Sequence, residues 1–336
     1  MHIGDQEIFH PEKLYWARFV SHIAGHYMPS PKANRYIVHD KIRSILVQEH
    51  QCIGDVLMLI PTLKALKANY PNARIDLLCT PAVRELAEKG RLADTVLSFP
   101  KQTPLHTPYD MVFDFHGDVR RLKLLRKYKS KYRCGFTFSG GAAWLTHLAE
   151  YPYKKHQVER PFDLLSQLNI PIPERTPRLA LFPDTEKPAD RLLPHPGANH
   201  PQRRWPAERW LALKDELSAQ GFEVRWIAPP GEKVPAGVAP VSGSLFELAG
   251  LIARSNLLIG CDSMAVHLAA ALGTHALAIF GSQDPGLTQP YGPFGHVISP
   301  EVPCRHRRSD WRLCGQCMAT IGVKDVAQAA LAILRE

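Results

Sequence analysis

Residues 257–281 read LLIGCDSMAVHLAAALGTHALAIFG. The apolar run Leu257–Gly260 is short enough for a strand buried on both faces. Cys261-Asp262-Ser263 then offers helix-capping side chains, and Met264–Leu272 follows as a helix closed by Gly273. Ala276–Phe280 is a second apolar strand. This is the nearest approach to a membrane span in the chain, but Asp262, His267 and the Gly273-Thr274 turn interrupt it. A buried strand–helix–strand is the repeating unit of a parallel sheet. The helix then begins at the carboxyl edge of that sheet, where open α/β sheets bind their ligands.

The alternation continues on both sides. Toward the N-terminus, Ser244-Leu-Phe-Glu247 is a capping box opening a helix to about Ser255, preceded by strand Phe222–Ala228. A helix over about Pro206–Gln220, closed by Gly221, follows a strand at Leu192–His195. Toward the C-terminus, Val323–Glu336 is an amphipathic helix. Pro171-Ile-Pro-Glu-Arg-Thr-Pro177, with Pro183–Pro188 behind it, reads as a linker, so residues 171–190 separate two domains. Residues 42–170 repeat the pattern. Strands are expected at Ile45–Gln48, Arg74–Cys79, Thr95–Phe99 and Met111–Phe115, with helices at Val56–Asn69 and Pro81–Lys89. The prediction is α/β, two Rossmann-like doubly wound domains, at 42–170 and 191–336. Residues 1–41 form an extension whose Tyr15, Trp16, Phe19, Ile23 and Tyr27 suit a docking helix.

The 336 residues are 45% hydrophobic and 22% charged, which excludes a disordered or fibrous chain. Net charge is +9, and its placement is uneven. Residues 1–160 carry 24 basic and 15 acidic side chains, residues 161–336 carry 17 of each. One domain is therefore suited to an anionic partner and the other is not. Nucleic acid, phospholipid and phosphorylated sugar all fit that charge. The N-terminus lacks the order of a secretory signal, and seven cysteines, mostly in apolar runs, suit reduced thiols, so a cytoplasmic protein is expected.

Five segments carry candidate chemistry. At Asp262-Ser263 and Met264, the helix start can hold a diphosphate on free N–H groups, with His267 one turn on; the alternative is a plain helix cap and a satisfied buried histidine. His195-Pro-Gly-Ala-Asn-His-Pro-Gln-Arg-Arg-Trp-Pro206 brings a glycine loop and Arg203 or Arg204 to a phosphate, or is a surface loop ahead of a helix. Gly54-Asp55 places a carboxylate where it can take a hydroxyl proton, or where it caps the helix. Arg120–Arg133, RRLKLLRKYKSKYR, has eight cations and no acid, as an anion-binding face or a solvated helix face. Cys304-x-His306-x7-Cys314-x2-Cys317 has partial metal-ligand spacing, or supplies reduced packing thiols. No G-x-G-x-x-G or Walker A sequence occurs, which argues against dinucleotide dehydrogenases and P-loop NTPases.

Taken together, several motifs resemble the ADP-heptose:lipopolysaccharide heptosyltransferases of glycosyltransferase family 9. In the first half they are Ile53-Gly54-Asp55-Val56 with Pro61-Thr62-Leu63, Asp114-Phe-His-Gly117 followed by basic residues, and His156-x-x-Glu159-Arg160. In the second they are His195-Pro-Gly-Ala198 leading to Arg204-Trp205-Pro206, Asp262-Ser263-x3-His267-Leu-Ala-Ala-Ala-Leu-Gly273, and Phe280-Gly281. The resemblance spans about residues 43–336. Met264 stands where many members have Gly, Arg203 where some have Lys, and His116 where Gln is common.

The resemblance implies a GT-B fold, with acceptor bound by the first domain, nucleotide-sugar by the second and reaction in the cleft. It implies inverting transfer of heptose from ADP-heptose to the lipopolysaccharide inner core, with no cofactor or metal required. Asp55 matches the base. Asn199, Arg203, Gly243, Asp262, Ser263, Met264 and His267 match donor-binding positions. Gly54, Arg120, Arg121 and Lys123 are expected at the acceptor, an anionic glycolipid, with peripheral contact at the cytoplasmic face of the inner membrane and no nucleic-acid partner. Two other readings predict different behaviour: a protein (autotransporter) heptosyltransferase, whose relatives carry cysteine-bound iron, and a non-catalytic polyanion-binding module.

Overall fold

The computed structural model describes residues 36–183, 191–228, 234–236, 238–301 and 314–335, together with 2–3, 6–7, 15–16 and 19. Two compact units divide between Arg175 and Thr176, inside the proline-rich stretch.

The first unit is built on six parallel strands: β1 (Ser44–Glu49), β2 (Arg74–Cys79), β3 (Thr95–Ser98), β4 (Pro108–Asp114), β5 (Lys129–Thr137) and β6 (His147–Glu150). Their order across the sheet is β3-β2-β1-β4-β5-β6, so the direction of winding reverses between β1 and β4. That reversal opens a crevice at the carboxyl ends of β1 and β4. The helices are α1 (Ile53–Met58), α2 (Ile60–Asn69), α3 (Arg84–Lys89), α4 (Val119–Leu125) and α5 (Arg160–Gln167). Ile45, Leu46 and Val47 of β1 are fully buried, as a central parallel strand requires.

The second unit holds five parallel strands: β7 (Arg191–His195), β8 (Glu223–Val224), β9 (Leu257–Cys261), β10 (His275–Ile279) and β11 (Gly295–Ile298). Their order is β8-β7-β9-β10-β11, with the reversal between β7 and β9. The longer helices are α6 (Ala207–Ala219), α7 (Leu245–Ala253), α8 (Met264–Leu272) and α9 (Val323–Ile333). The segment 257–281 is strand–helix–strand as expected, with α8 capped by Gly273. Leu257–Cys261 is buried throughout, and Ala265–Ala271 of α8 is buried along its length. Trp205, Trp210 and Trp226 join a single core with β9, β10 and α9.

Several expectations are corrected. The helix expected over Val56–Asn69 is two helices meeting at Leu59, because Pro61 lacks an N–H to continue the ladder. The first of them starts at Ile53, so Asp55 lies in its first turn and Cys52 is its N-cap. The strand expected at Phe222–Ala228 is only Glu223–Val224, with an isolated bridge from Ile227 to Val241. Arg120–Arg133 is not one helix face. It contains most of α4 and the first half of β5, where exposed Lys129 and Lys131 alternate with buried Tyr132 and Cys134. Tyr15, Trp16 and Phe19 of the extension are exposed and pack ring to ring; Ile23 and Tyr27 lie outside the described residues. Among the described residues no helix is long and apolar enough to cross a membrane.

Candidate active site

The first unit has a recess at its winding reversal, lined by Glu49, Asp55, Phe115, His116, Tyr151, Gln157 and Arg160 among others. β1 delivers Glu49 to its edge, and α1 begins four residues later, so Asp55 lies in the first turn of that helix. Buried Gly54, which precedes it, places backbone rather than side chain beside the Asp55 residue. Gln157 Nε2 donates to Asp55 Oδ1 at 2.6 Å. Burial and the Glu49 carboxylate push the Asp55 carboxyl up to about 7, against the opposing pull of Gln157, Arg121 and the Cys52 thiol. A carboxylate with that proton affinity is matched to taking a hydroxyl proton near neutral pH.

β4 ends in Asp114, the sheet partner of Gln48. Its Oδ1 accepts from the N–H groups of His116 and Gly117 at 3.1 and 2.8 Å, and its Oδ2 from Gln48 Nε2 at 2.8 Å. Burial opposes ionisation of Asp114, but Arg121 and the Gly117 N–H hold its carboxyl below the usual range. The Asp114-Phe-His-Gly motif is thus a loop folded onto its own carboxylate.

Arg121 is corrected here: it is buried, not an acceptor contact. Its Nε donates to Asp114 Oδ2 at 2.7 Å, and Nη1 and Nη2 to Glu49 at 2.9 and 3.2 Å. Two adjacent carboxylates at the sheet edge draw the guanidinium inward. Arg120 is 88% exposed and pairs with Asp118 at 3.0 Å; Lys123 is exposed on α4.

In the second unit the reversal lies between His195, ending β7, and Ser263, following β9; Ser263 Oγ is 3.4 Å from His195 Nδ1. Ser263 occupies the N-cap of α8 without a side-chain cap bond, leaving the first-turn amides at Met264 without a cap partner from its hydroxyl. Arg203 Nη1 lies 3.1 Å from Asp262 Oδ2, yet Arg203 Nε and Asp262 Oδ2 are buried with no hydrogen bond. Burial raises the Asp262 carboxyl above its ordinary range, opposed by Arg203. Asn199 is exposed on the loop after β7, which Trp205 anchors by donating to Cys261 Sγ and to Ile321 O. His267 is buried one turn into α8. Gly243 precedes the capping box of α7, and a Cβ there would stand 2.6 Å from Glu247 Oε2. The structure therefore brings Arg203, Asp262, Ser263 and the start of α8 together. That grouping offers positive charge and backbone N–H groups to a diphosphate.

Cys304 and His306 lie outside the described residues. Among the described residues no three His, Cys, Asp or Glu side chains form a metal-binding group. Sequence reasoning missed Glu49, Gln157 and Tyr151. Gln157 sits inside the quoted His156-x-x-Glu159-Arg160 motif, whereas Glu49 falls one residue past the strand end that was expected.

Residues 101–314 match the model for glycosyltransferase family 9 (heptosyltransferase). Lipopolysaccharide heptosyltransferase 1 of Pseudomonas aeruginosa is 27% identical over 302 residues, covering 77% of this chain and 84% of that protein. Lipopolysaccharide heptosyltransferase 3 of Escherichia coli is 25% identical over 305 residues, covering 76% and 89%. The solved structure of E. coli heptosyltransferase WaaC with ADP matches with a TM-score of 0.71 at 19% identity, over 86% of this chain and 99% of that one. The chain belongs to glycosyltransferase family 9, the heptosyltransferases, and is a glycosyltransferase of the GT-B fold class.

Proposed function

We propose that this enzyme transfers heptose from ADP-heptose to a lipopolysaccharide inner-core acceptor, with inversion and with Asp55 as the base. The observation that carries the proposal is the half-buried Asp55, held by Gln157 in a recess at the winding reversal. Asp55 accepts the proton of the acceptor hydroxyl as that oxygen bonds to the anomeric carbon and the bond to ADP breaks. Negative charge grows on the departing diphosphate, so this step needs fixed positive potential. Arg203 and the α8 start supply it, Ser263 and Asn199 add polar contacts, and Asp262 and His267 lie where sugar hydroxyls need partners. Gly243 leaves room beside α7 for the base.

Arg120 and Lys123 are assigned to the anionic acceptor. α4 leads the chain from the carboxyl edge of the sheet to its amino edge, so Arg126, Lys127, Lys129 and Lys131 are exposed away from Asp55. We assign these four to the anionic cytoplasmic face of the inner membrane, each worth about 1 kcal/mol there.

Protein, ADP-heptose and a heptose-deficient core acceptor should yield ADP and a product heavier by one heptose. Asp55→Ala should abolish release while ADP affinity stays intact. Near-normal turnover by that variant would overturn the base assignment.

A further inference from the structure

Arg121 is expended on the protein's own carboxylates. Its side chain uses four donor contacts: Asp114 Oδ2 at 2.7 Å, Glu49 Oε1 at 2.9 Å, Glu49 Oε2 at 3.2 Å and Gln48 O at 2.8 Å. Gln48 closes the group by donating to Asp114 Oδ2 at 2.8 Å and to Arg121 O at 3.2 Å. Both oxygens of Glu49 are therefore fixed by one planar fork, and the side chain has no freedom to turn away. Glu49, Asp114 and Arg121 are each at most 6% exposed as side chains.

The charge of this cluster does not balance. Two carboxylates share one guanidinium, and Asp114 also takes two backbone N–H groups. Glu49 is the member that lines the Asp55 recess, so the surplus negative charge lies in the wall of that recess. A buried triad like this is a poor source of stability, since desolvation offsets most of its attraction. Its distinctive effect is a fixed field at the neighbouring carboxyl.

We propose that Glu49, clamped by Arg121, is a positioning residue that tunes Asp55 as the base of the transfer reaction. This rests on the assignment of Asp55 as base. Glu49 itself is fully engaged by Arg121 and does not contact the reacting atoms. The other groups around Asp55 are Cys52 from the loop before α1, His116 from the loop after β4, Tyr151 from the segment after β6, Gln157 and, at the start of α5, Arg160. Arg160 donates to Tyr151 Oη at 2.6 Å and to Lys155 O at 3.0 Å, which engages its Nη1 and Nε within the wall of the recess. Glu49 raises the proton affinity of Asp55 and Arg121 lowers it, so the two residues push in opposite directions.

The test is the pH dependence of kcat/KM for the full chain, with ADP release as readout and thermal unfolding as the folding control. The acidic limb of the unaltered enzyme should fall near pH 7. Glu49→Gln should move that limb down by about one pH unit, and Arg121→Gln should move it up, each with unchanged donor KM. A merely structural role would lower kcat without opposite shifts. Should one variant fail to fold, the direction of the other decides. Asp55→Asn separates the two levels of the argument. If it retains turnover, Asp55 is not the base and the tuning role falls with it. If it is inactive while the folded variants leave the limb in place, the base stands and the role of Glu49 is overturned.

Discussion

Gln157 and Asp55 lie 102 positions apart in sequence and meet at 2.6 Å, amide to carboxylate. The bond does two things to the carboxylate. It fixes which oxygen of Asp55 is turned to the recess, and it favours the ionised carboxylate, opposing Glu49 and burial. Gln157→Ala should therefore lower kcat at pH 7 by about 10-fold. It should also move the acidic limb of kcat/KM upward, so that part of the loss is recovered at pH 8.5. A variant with an unchanged limb would show that Gln157 does not act on Asp55.

Asp55 also places a cost on the fold. Its carboxyl is pushed up to about 7 in the folded state, from an ordinary value of 3.8. Between those two values the native state holds more protons than the unfolded chain. Stability consequently falls as pH rises through that window and levels off above it. Asp55→Asn removes this cost and keeps an oxygen for Gln157. The variant should be more stable than the unaltered protein by ~1 kcal/mol at pH 8, after allowance for partial exposure to water. At pH 3.5 the two should unfold alike. Denaturant titrations at the two pH values measure the difference, and equal stability at pH 8 would refute the prediction.

Legibility in the sequence followed the physics of each element. The apolar run Leu257–Cys261 and the capping box at Ser244 announce themselves, because continuous burial and N-cap chemistry are local properties. Lys129–Thr137 does not, since lysines on its exposed face made a strand look like part of a charged helix. The alternation of Lys129 and Lys131 with Tyr132, Cys134 and Phe136 is the signal that was available. The grouping of Arg203, Asp262 and Ser263 was readable because its members follow the ends of two strands. The Arg121 clamp was not, because its partners Glu49 and Asp114 meet it only through the order of strands in the sheet.

Gly117 shows how a motif glycine serves the same cluster. Its φ is +76°, and a Cβ there would lie 2.9 Å from Phe136 O, a backbone atom of β5 that has no room to retreat. Its N–H is one of the donors that hold Asp114. Gly117→Ala should cost about 2–3 kcal/mol through strain at positive φ and the clash. Because Asp114 anchors Arg121, turnover should fall further than the lost folded fraction explains. Unfolding curves together with kcat on the folded protein check both parts.

Arg203 and Asp262 make an ion pair at 3.1 Å in which neither Arg203 Nε nor Asp262 Oδ2 has a hydrogen-bond partner. A pair left incomplete in this way holds donor capacity in reserve for a ligand that brings oxygens of its own. Arg203→Gln should weaken ADP binding by about 10- to 100-fold, the value of one or two charge-assisted bonds to phosphate. Arg203→Lys should recover only part, because an ammonium cannot present the same fork. Asp262→Asn acts in the other direction on the same pair. It releases Arg203 from a buried carboxyl whose proton affinity burial has raised, so ADP binding should be kept or tightened. On the role proposed for Asp262 toward sugar hydroxyls, exchange of one acceptor oxygen for an amide donor should at the same time narrow the preference for ADP-heptose over ADP. Calorimetric titration of each variant with both ligands separates these effects. A uniform loss for ADP and ADP-heptose in Asp262→Asn would place the carboxylate in the architecture of the loop rather than on the sugar.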